Sequence, residues 1–458
     1  MPYPKSSKKD HRYDRAKSPR STQPPKAPEP NSTAKYLPVS RNDPICREWP
    51  SLLRKIVRKI DHTGVCIITC VLRKKGLDPG FTTTVLVVCN SSSPPSHRCT
   101  STAQIRALLD KIRLSSVAVE FVHGDFTRGA SAIDNEQLDR RVLHQPSMIS
   151  QKLKLPGQSD YKTLGLTCFH CVNPSENGLR PDLVTRVRKW RENGIKPDDD
   201  LRRELQMEHP SSMAIEDRIV SLKDEIRAIE TDKEYVQFRE LEGEDIEFVF
   251  GRTAARTFTR MKDTLSDLND FLDEIQTFKN DNRAAFGHVY AASGFRTTPP
   301  VPGRPTSNLD WALIEVPDDR IGQNVTPDGY DLRDSPIPES LEGVQLFIHG
   351  QRSGYRKGTK SPLRSAILNH AIQDGVEINR TTFEHCIHPL HTPEYSHKGD
   401  SGSLVFTMSH VVVGMLFAGG VNHMMSYFTP MEVLIEDIKN ITKATDVRLK
   451  MNRPGTSS

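Results

Sequence analysis

The apolar positions change period several times along the chain, and each change marks an element. From Trp49 to Ile60, Leu52, Leu53, Ile56, Val57 and Ile60 recur at helical spacing. Residues 65–72 and 84–89 are short, nearly continuous apolar runs, the pattern of buried strands. A second helix starts at Thr102 with Ile105, Leu108, Leu109 and Ile112 on one face, and residues 117–122 form a further strand. This helix-strand-strand-helix-strand order predicts a small α/β module over residues 46–125. It has no glycine-rich phosphate loop and no catalytic spacing, so its default role is scaffolding or docking.

A polar link over residues 124–145 separates the module from a strand at residues 164–172, which ends in a turn carrying His170. Charged sequence with heptad seams follows. Ile215, Ile219, Leu222, Ile226 and Ile229 form one seam, and Phe258, Met261, Leu265, Leu268, Leu272 and Ile275 the other. Joined by the polar stretch 240–245, they predict an antiparallel helical hairpin inserted over residues 210–282. Self-association through the seams is the other way to bury them. Short strands with glycine punctuation then return at 287–294, 309–316, 344–350, 363–368, 411–420 and 427–430, before a terminal helix over 431–441. The class these imply is mainly β, a barrel rather than a parallel sheet.

Composition narrows the picture. The chain has 458 residues, 36% hydrophobic, with 32 prolines, and a mean hydropathy of −0.54. Length suits two or three domains, and proline content with low hydropathy predicts unfolded stretches. Residues 1–45 hold ten Lys/Arg against four Asp/Glu, so a tail that reads as disordered carries the excess of positive charge behind the net +5, and the remainder is close to neutral. Acids interrupt its basic runs, which makes a nucleic-acid partner a weak inference, and residues 443–458 read as a second tail. No apolar run reaches the roughly 18 residues of a membrane span, and the N-terminus lacks a secretory signal's apolar core. Eight cysteines in so long a chain make no disulfide scaffold and suggest reduced thiols in an intracellular protein.

Candidate chemistry centres on Gly399-Asp400-Ser401-Gly402-Ser403, where a serine between glycines runs into an apolar strand. Glycines let backbone N–H groups turn toward a substrate carbonyl and leave the hydroxyl accessible. A serine hydroxyl needs a base, and an imidazole oriented by a carboxylate is the usual one. His170, Asp310 and Ser401 follow in that order, with 140 residues from the first to the second and 91 from the second to the third.

Residues 166–172, Leu-Thr-Cys-Phe-His-Cys-Val, resemble the Leu-Thr-Ala-Ala-His-Cys-Val segment of chymotrypsin/trypsin-like serine proteases. Residues 308–314 are similar to that family's Asn-Asp-Ile-Ala-Leu-Leu segment with one residue added, and 399–403 to its Gly-Asp-Ser-Gly-Gly. The layout also resembles fungal proteins with a trypsin-like domain behind an N-terminal extension. The resemblance implies a chymotrypsin-like double β-barrel over residues 145–442, interrupted by the helical insertion, and a serine endopeptidase without a cofactor or metal. It implies His170 as base, Asp310 as its orienting acid and Ser401 as nucleophile. The N–H groups of Gly399 and Ser401 would form the oxyanion hole. Asp400 would brace the loop, with Lys398 or another internal cation as its partner. Tyr395, Phe417, Ala418 and Gly419 would line the substrate pocket. Tyr395 stands where an acid would select Lys or Arg, which argues against that specificity. His397 stands where a disulfide cysteine is usual, and Leu155 where the partner of Cys171 would be.

Two other functions fit parts of the sequence. Cys168, His170 and Cys171, with His385, Cys386, His388, His391 and His397, offer zinc-type ligands, though the spacing matches no familiar finger. A protease-like scaffold that binds protein partners without catalysis would account for the unusual pocket and the two accessory regions.

Overall fold

Apolar residues on alternate strand positions and on single helix faces gather the chain into two sheets sharing a core. The computed structural model describes residues 35–74, 80–90, 95–124, 126–128, 149–241, 246–326, 328–334, 340–373, 376–420 and 424–450. In chain order, β1 (Lys35–Leu37) precedes α1 (Ile45–Lys59), β2 (Val65–Lys74), β3 (Thr82–Cys89), α2 (Pro95–Lys111), β4 (Ala118–His123) and β5 (Phe126–Arg128). Then come β6 (Ile149–Lys154), β7 (Tyr161–Thr167), a 3-10 turn (Phe169–Cys171), α3 (Pro181–Asn193) and β8 (Gln206–Glu208). The helical run comprises α4 (Ser212–Glu230), α5 (Lys233–Glu240), α6 (Ile246–Phe250) and α7 (Arg252–Asn280). After it lie β9 (Ala285–Ala292), β10 (Ala312–Glu315), β11 (Gln345–Gly350), β12 (Gly354–Lys360), β13 (Ser365–Gln373) and β14 (Val376–Pro389). The last elements are β15 (Leu404–Thr407), β16 (Val412–Gly420), β17 (Met425–Pro430), α8 (Met431–Thr442) and β18 (Asp446–Leu449).

The fold is mainly β. Its larger sheet has 12 strands, and six of them pair in a closed cycle, β11-β12-β14-β17-β16-β15 and back to β11. Leu346, Ile348, Ile387, Tyr395, Val405, Val413, Leu416 and Phe428 form one buried cluster within this cycle of strands. The second sheet runs β18-β6-β7-β10-β9-β8. A core containing Leu153, Leu166, Trp311 and Leu313 from this sheet and Phe417, Tyr427, Leu434 and Ile438 from the other half joins the two.

The helix-strand-strand-helix-strand module appears as α1, β2, β3, α2 and β4, with β3 and β4 parallel across the α2 crossover. It is not a detached unit. Ile67 and Ile68 of β2 pair with Ile367 and Ala366 of β13, so the larger sheet continues through it. The Trp49 indole N–H donates to the Arg364 carbonyl at 2.7 Å, and Leu363, Ala366 and Leu368 share a core with Trp49, Leu53 and Ile56. Of the N-terminal tail, residues 35–45 are described, and they contain β1 and the first residue of α1. The polar link contains β5, and the C-terminal tail contains β18, which pairs with β6 and buries Val447 and Leu449. In the insertion, α4 packs on α7 through Ile215, Ile219, Leu222, Phe271 and Ile275. Ser211 caps α4 by accepting the Ala214 N–H at 3.2 Å.

Because module and strand cycle share one sheet, they should unfold together. Trp49→Ala is expected to cost about 3–5 kcal/mol. Urea unfolding followed by circular dichroism and by alkylation of buried Cys386 should give one coincident transition, shifted to lower denaturant. Two separated transitions would count against a shared core.

Candidate active site

The serine loop is stitched to the edge of β16. The Gly402 N–H donates to the Leu416 carbonyl at 2.9 Å, and the Leu416 N–H donates back to Ser403 at 2.9 Å. Gly399 and Gly402 have φ of +98° and +92°, a region that side-chain-bearing residues rarely adopt. The Ser401 hydroxyl lies 3.5 Å from the Phe417 carbonyl. Asp400 is buried beneath the loop. Its Oδ1 accepts the N–H groups of Arg352 (2.8 Å) and Ser353 (3.1 Å), and its Oδ2 that of His397 (2.8 Å). Three backbone amides from two loops therefore hold this carboxylate, where the sequence suggested Lys398 or another cation. Among the described residues, neither the Gly399 nor the Ser401 N–H is committed to a backbone hydrogen bond.

His170 and Asp310 come from the smaller sheet. Thr167 at the end of β7 pairs with Ala312 at the start of β10, which brings the turn after β7 beside the residues before β10. Asp310, 1% exposed, gives both oxygens to one residue. Oδ1 accepts the His170 backbone N–H at 2.9 Å, and Oδ2 lies 2.7 Å from ring Nδ1. That contact puts the ring proton on Nδ1 and leaves Nε2, which is buried without a hydrogen-bond partner. Burial disfavours the imidazolium, but the charge and hydrogen bond of Asp310, followed by those of Cys171, outweigh it and raise His170 to about 10. Burial likewise disfavours the Asp310 carboxylate, but the His170 charge and hydrogen bonds and the nearby Arg128 hold its pKa below the usual range. At neutral pH the pair is an imidazolium and a carboxylate.

The two halves meet at this point. The Cys168 thiol, fully buried, donates to the Leu416 carbonyl at 3.3 Å, and a Cβ on Gly402 would come within 2.7 Å of the Thr167 hydroxyl. These contacts bring the serine loop to the end of β7, but among the described residues no hydrogen bond joins Ser401 to His170: the hydroxyl faces the Phe417 carbonyl and Nε2 has no partner. Its neighbours include residues that the motifs did not single out. Glu384 on β14 accepts the Asn308 N–H at 2.6 Å, and burial pushes its carboxyl up to about 7. The Trp311 indole donates to Asp437 of α8 at 2.8 Å, and Arg296 donates to the same oxygen at 2.6 Å. A buried acid facing a backbone N–H beside the motif is the kind of signal that only a fold discloses.

A shallow recess, little larger than a water molecule once open solvent is left out, adjoins Ser401. Ala418 and Gly419 line it, with Thr127, Ser396, His397, Lys398 and Leu416. Tyr395 and Phe417 do not. Tyr395 is wholly buried in the core within the strand cycle, and Phe417 belongs to the core between the sheets. Ser396 takes the wall position, its hydroxyl 2.7 Å from that of Ser426. Of the zinc-type ligands, Cys168 and His170 come together with Asp310, one ligand atom of each lying within 4.8 Å of the others. Burial keeps the Cys168 thiol protonated, which opposes metal binding there. On β14, His385 is partly buried and His388 fully so; desolvation favours their neutral forms, and His385 stacks on Phe428. Among the described residues, no helix is long and apolar enough to cross a membrane.

No family model and no curated protein matches this chain. Solved structures with some similarity include a chymotrypsin of Cellulomonas bogoriensis, 13% identical over 31% of this chain and 70% of that one, with a TM-score of 0.22. Protease A of Thermobifida fusca is 15% identical over 36% of this chain and 76% of its own, with a TM-score of 0.23. The Rv3671c protease of M. tuberculosis is 14% identical over 36% and 66%, at 0.22. Such values do not fix the family of the chain.

Two titrations test the electrostatics. His170 should titrate near 10 by NMR, and Asp310→Asn should lower it markedly, because the strongest support for the imidazolium is lost while burial and the lesser support of Cys171 remain. A raised histidine stabilises the fold fully below its unfolded value near 6.5 and loses that contribution as pH rises through about 10. The deficit in urea midpoint of Asp310→Asn relative to wild type should therefore narrow between pH 6 and pH 10. Glu384 is raised from 4.5 to about 7, so its contribution is present below 4.5 and lost as pH rises through 7. Glu384→Gln should match wild type in urea midpoint at pH 4.5 and exceed it at pH 8; an equal or lower midpoint at pH 8 would contradict the assignment.

Proposed function

We propose that this chain is a serine hydrolase that cleaves peptide or protein substrates through an acyl-enzyme, built on a chymotrypsin-like pair of β-barrels. In this proposal the closed cycle of six strands is one barrel and the six-stranded sheet the other. The strongest support is the pair of hydrogen bonds that Asp310 accepts from His170, which fixes the ring and leaves Nε2 as its free nitrogen. Neutral His170 takes the Ser401 proton at Nε2 as Oγ attacks the carbonyl carbon. The oxyanion that forms is met by the free N–H groups of Gly399 and Ser401. His170 then gives its proton to the departing amine, and water, deprotonated by the same nitrogen, hydrolyses the ester. Asp400 braces the loop throughout. The recess is lined by Ser396, His397 and Lys398 and, among the described residues, by no acid, which disfavours a Lys or Arg side chain there.

A base that ionises near 10 is neutral in only about one molecule in a thousand at pH 7. Catalysis by this route is therefore slow at neutral pH and accelerates in alkali. The same property favours a second function, a protease-like module that binds partners and does not turn over. Labelling with a small fluorophosphonate separates them. The wild-type rate should rise about tenfold per pH unit from 7 to 9 and level off near 10. Ser401→Ala should not label, and His170→Ala should be slower by at least about a thousandfold at pH 9. A folded wild-type protein that stays unlabelled at pH 9 would leave only the binding module.

A further inference from the structure

One edge of β16 carries three things in succession. β15 pairs with it over residues 412–415, the serine loop bonds to Leu416 and touches Phe417, and β5 pairs with residues 418–420. β5 runs antiparallel to β16, with Phe126 opposite Gly420, Thr127 opposite Gly419 and Arg128 opposite Ala418. Its C-terminal end thus points at Ser401. A peptide whose carbonyl is to be attacked by Ser401 would add to this edge in the same direction, since strand addition satisfies its backbone groups. The chain's own residues already hold that position.

The side chains fasten β5 in place. Thr127 faces the recess beside Ser401. The Phe126 ring lies 6.4 Å from that of Phe417 and 6.0 Å from that of Tyr427. The Arg128 guanidinium donates to Asn308 Oδ1 at 3.2 Å, lies 3.9 Å from Asp310 Oδ2 and sits 4.5 Å over the Phe295 ring. This last set is a subsite for a cation, made of a carboxylate, an amide oxygen and an aromatic face.

We propose that β5 is an internal competitor for the substrate edge, and that the peptides able to displace it are extended segments with a basic residue at the Arg128 position. This rests on Ser401 being the nucleophile, and the experiment keeps the two claims apart. The full-length wild type is compared with Thr127→Pro, which removes a backbone N–H from the strand, and with the double variant Phe126→Ala/Arg128→Ala, which removes its anchors. Each is labelled with a small fluorophosphonate and with a tripeptidyl phosphonate that must lie along β16. The ratio of the second rate to the first should rise by about tenfold or more in both variants, and amide exchange at residues 418–420 should rise with it. Acetyl-Phe-Thr-Arg-amide should restore protection of these amides in Thr127→Pro, and its Glu counterpart should not. Unchanged exchange in both variants, or raised exchange with an unchanged rate ratio, would overturn the proposal. If no form reacts with either phosphonate, the nucleophile assignment fails. Strand competition is then decided by the exchange data alone: protection restored by the Arg peptide keeps it, and protection not restored ends it.

Discussion

A carboxylate with both oxygens given to one residue is the constraint on which the rest of the site depends. Asp310 cannot stay ionised in a dry interior unless something compensates it, and the compensation comes from the backbone N–H and ring of His170. Removing one partner of such a pair typically costs about 3–5 kcal/mol, because the other is left buried and alone. The neighbouring contacts make sense as supports for that pair. Glu384 fixes the N–H of Asn308, while Asp437 holds the indole of Trp311, so the residues near Asp310 on both sides are tied to other elements. The clamp sets the ring nitrogen, and it also makes the ring so basic that its proton is hard to remove.

The second constraint is the seam. His170 and Asp310 belong to the smaller sheet, and Ser401 belongs to a loop stitched to the larger one. Small groups govern how closely the two approach. Gly402 lies against Thr167, and Cys168 reaches Leu416 with its thiol. A larger side chain at residue 402 would push apart the surfaces that bring the serine toward the histidine turn. Asp400 meets a parallel need on the other side of the loop, where three backbone amides replace the charge partner that its burial would otherwise demand.

Residues legible in the sequence were those whose chemistry is local. The helical periods of α1, α4, α7 and α8, the apolar runs of β2, β3 and β16, and the His, Asp and Ser motifs each announce themselves within a few positions. Non-local pairing hid the rest. β12 and β14 carry lysine, arginine, glutamate and threonine among their apolar residues, and become strands because neighbours are there to pair with them. β18 lay in a presumed tail and β5 in a presumed linker for the same reason. The detached look of residues 46–125 came from their complete local pattern, which says nothing about β13 continuing the sheet. Tyr395 was assigned by counting back from Ser401, but its ring turns into the core within the strand cycle and Ser396 faces the recess instead.

The strength of pairing differs sharply along the larger sheet, and the difference bears on what can move. Among the described residues, β13 and β14 are joined over nine residue pairs, whereas β5 meets β16 over three. Each added pair contributes to ladder stability, so a three-pair strand opens at far lower cost than a nine-pair one. β5 depends for much of its hold on two side chains, Phe126 on an aromatic surface and Arg128 in a polar subsite. An incoming peptide of three residues can supply the same backbone bonds and the same two kinds of contact, so exchange requires no break in the long ladders. The edge beside Ser401 is therefore a part of the larger sheet where one strand can replace another without disturbing the clamp on His170.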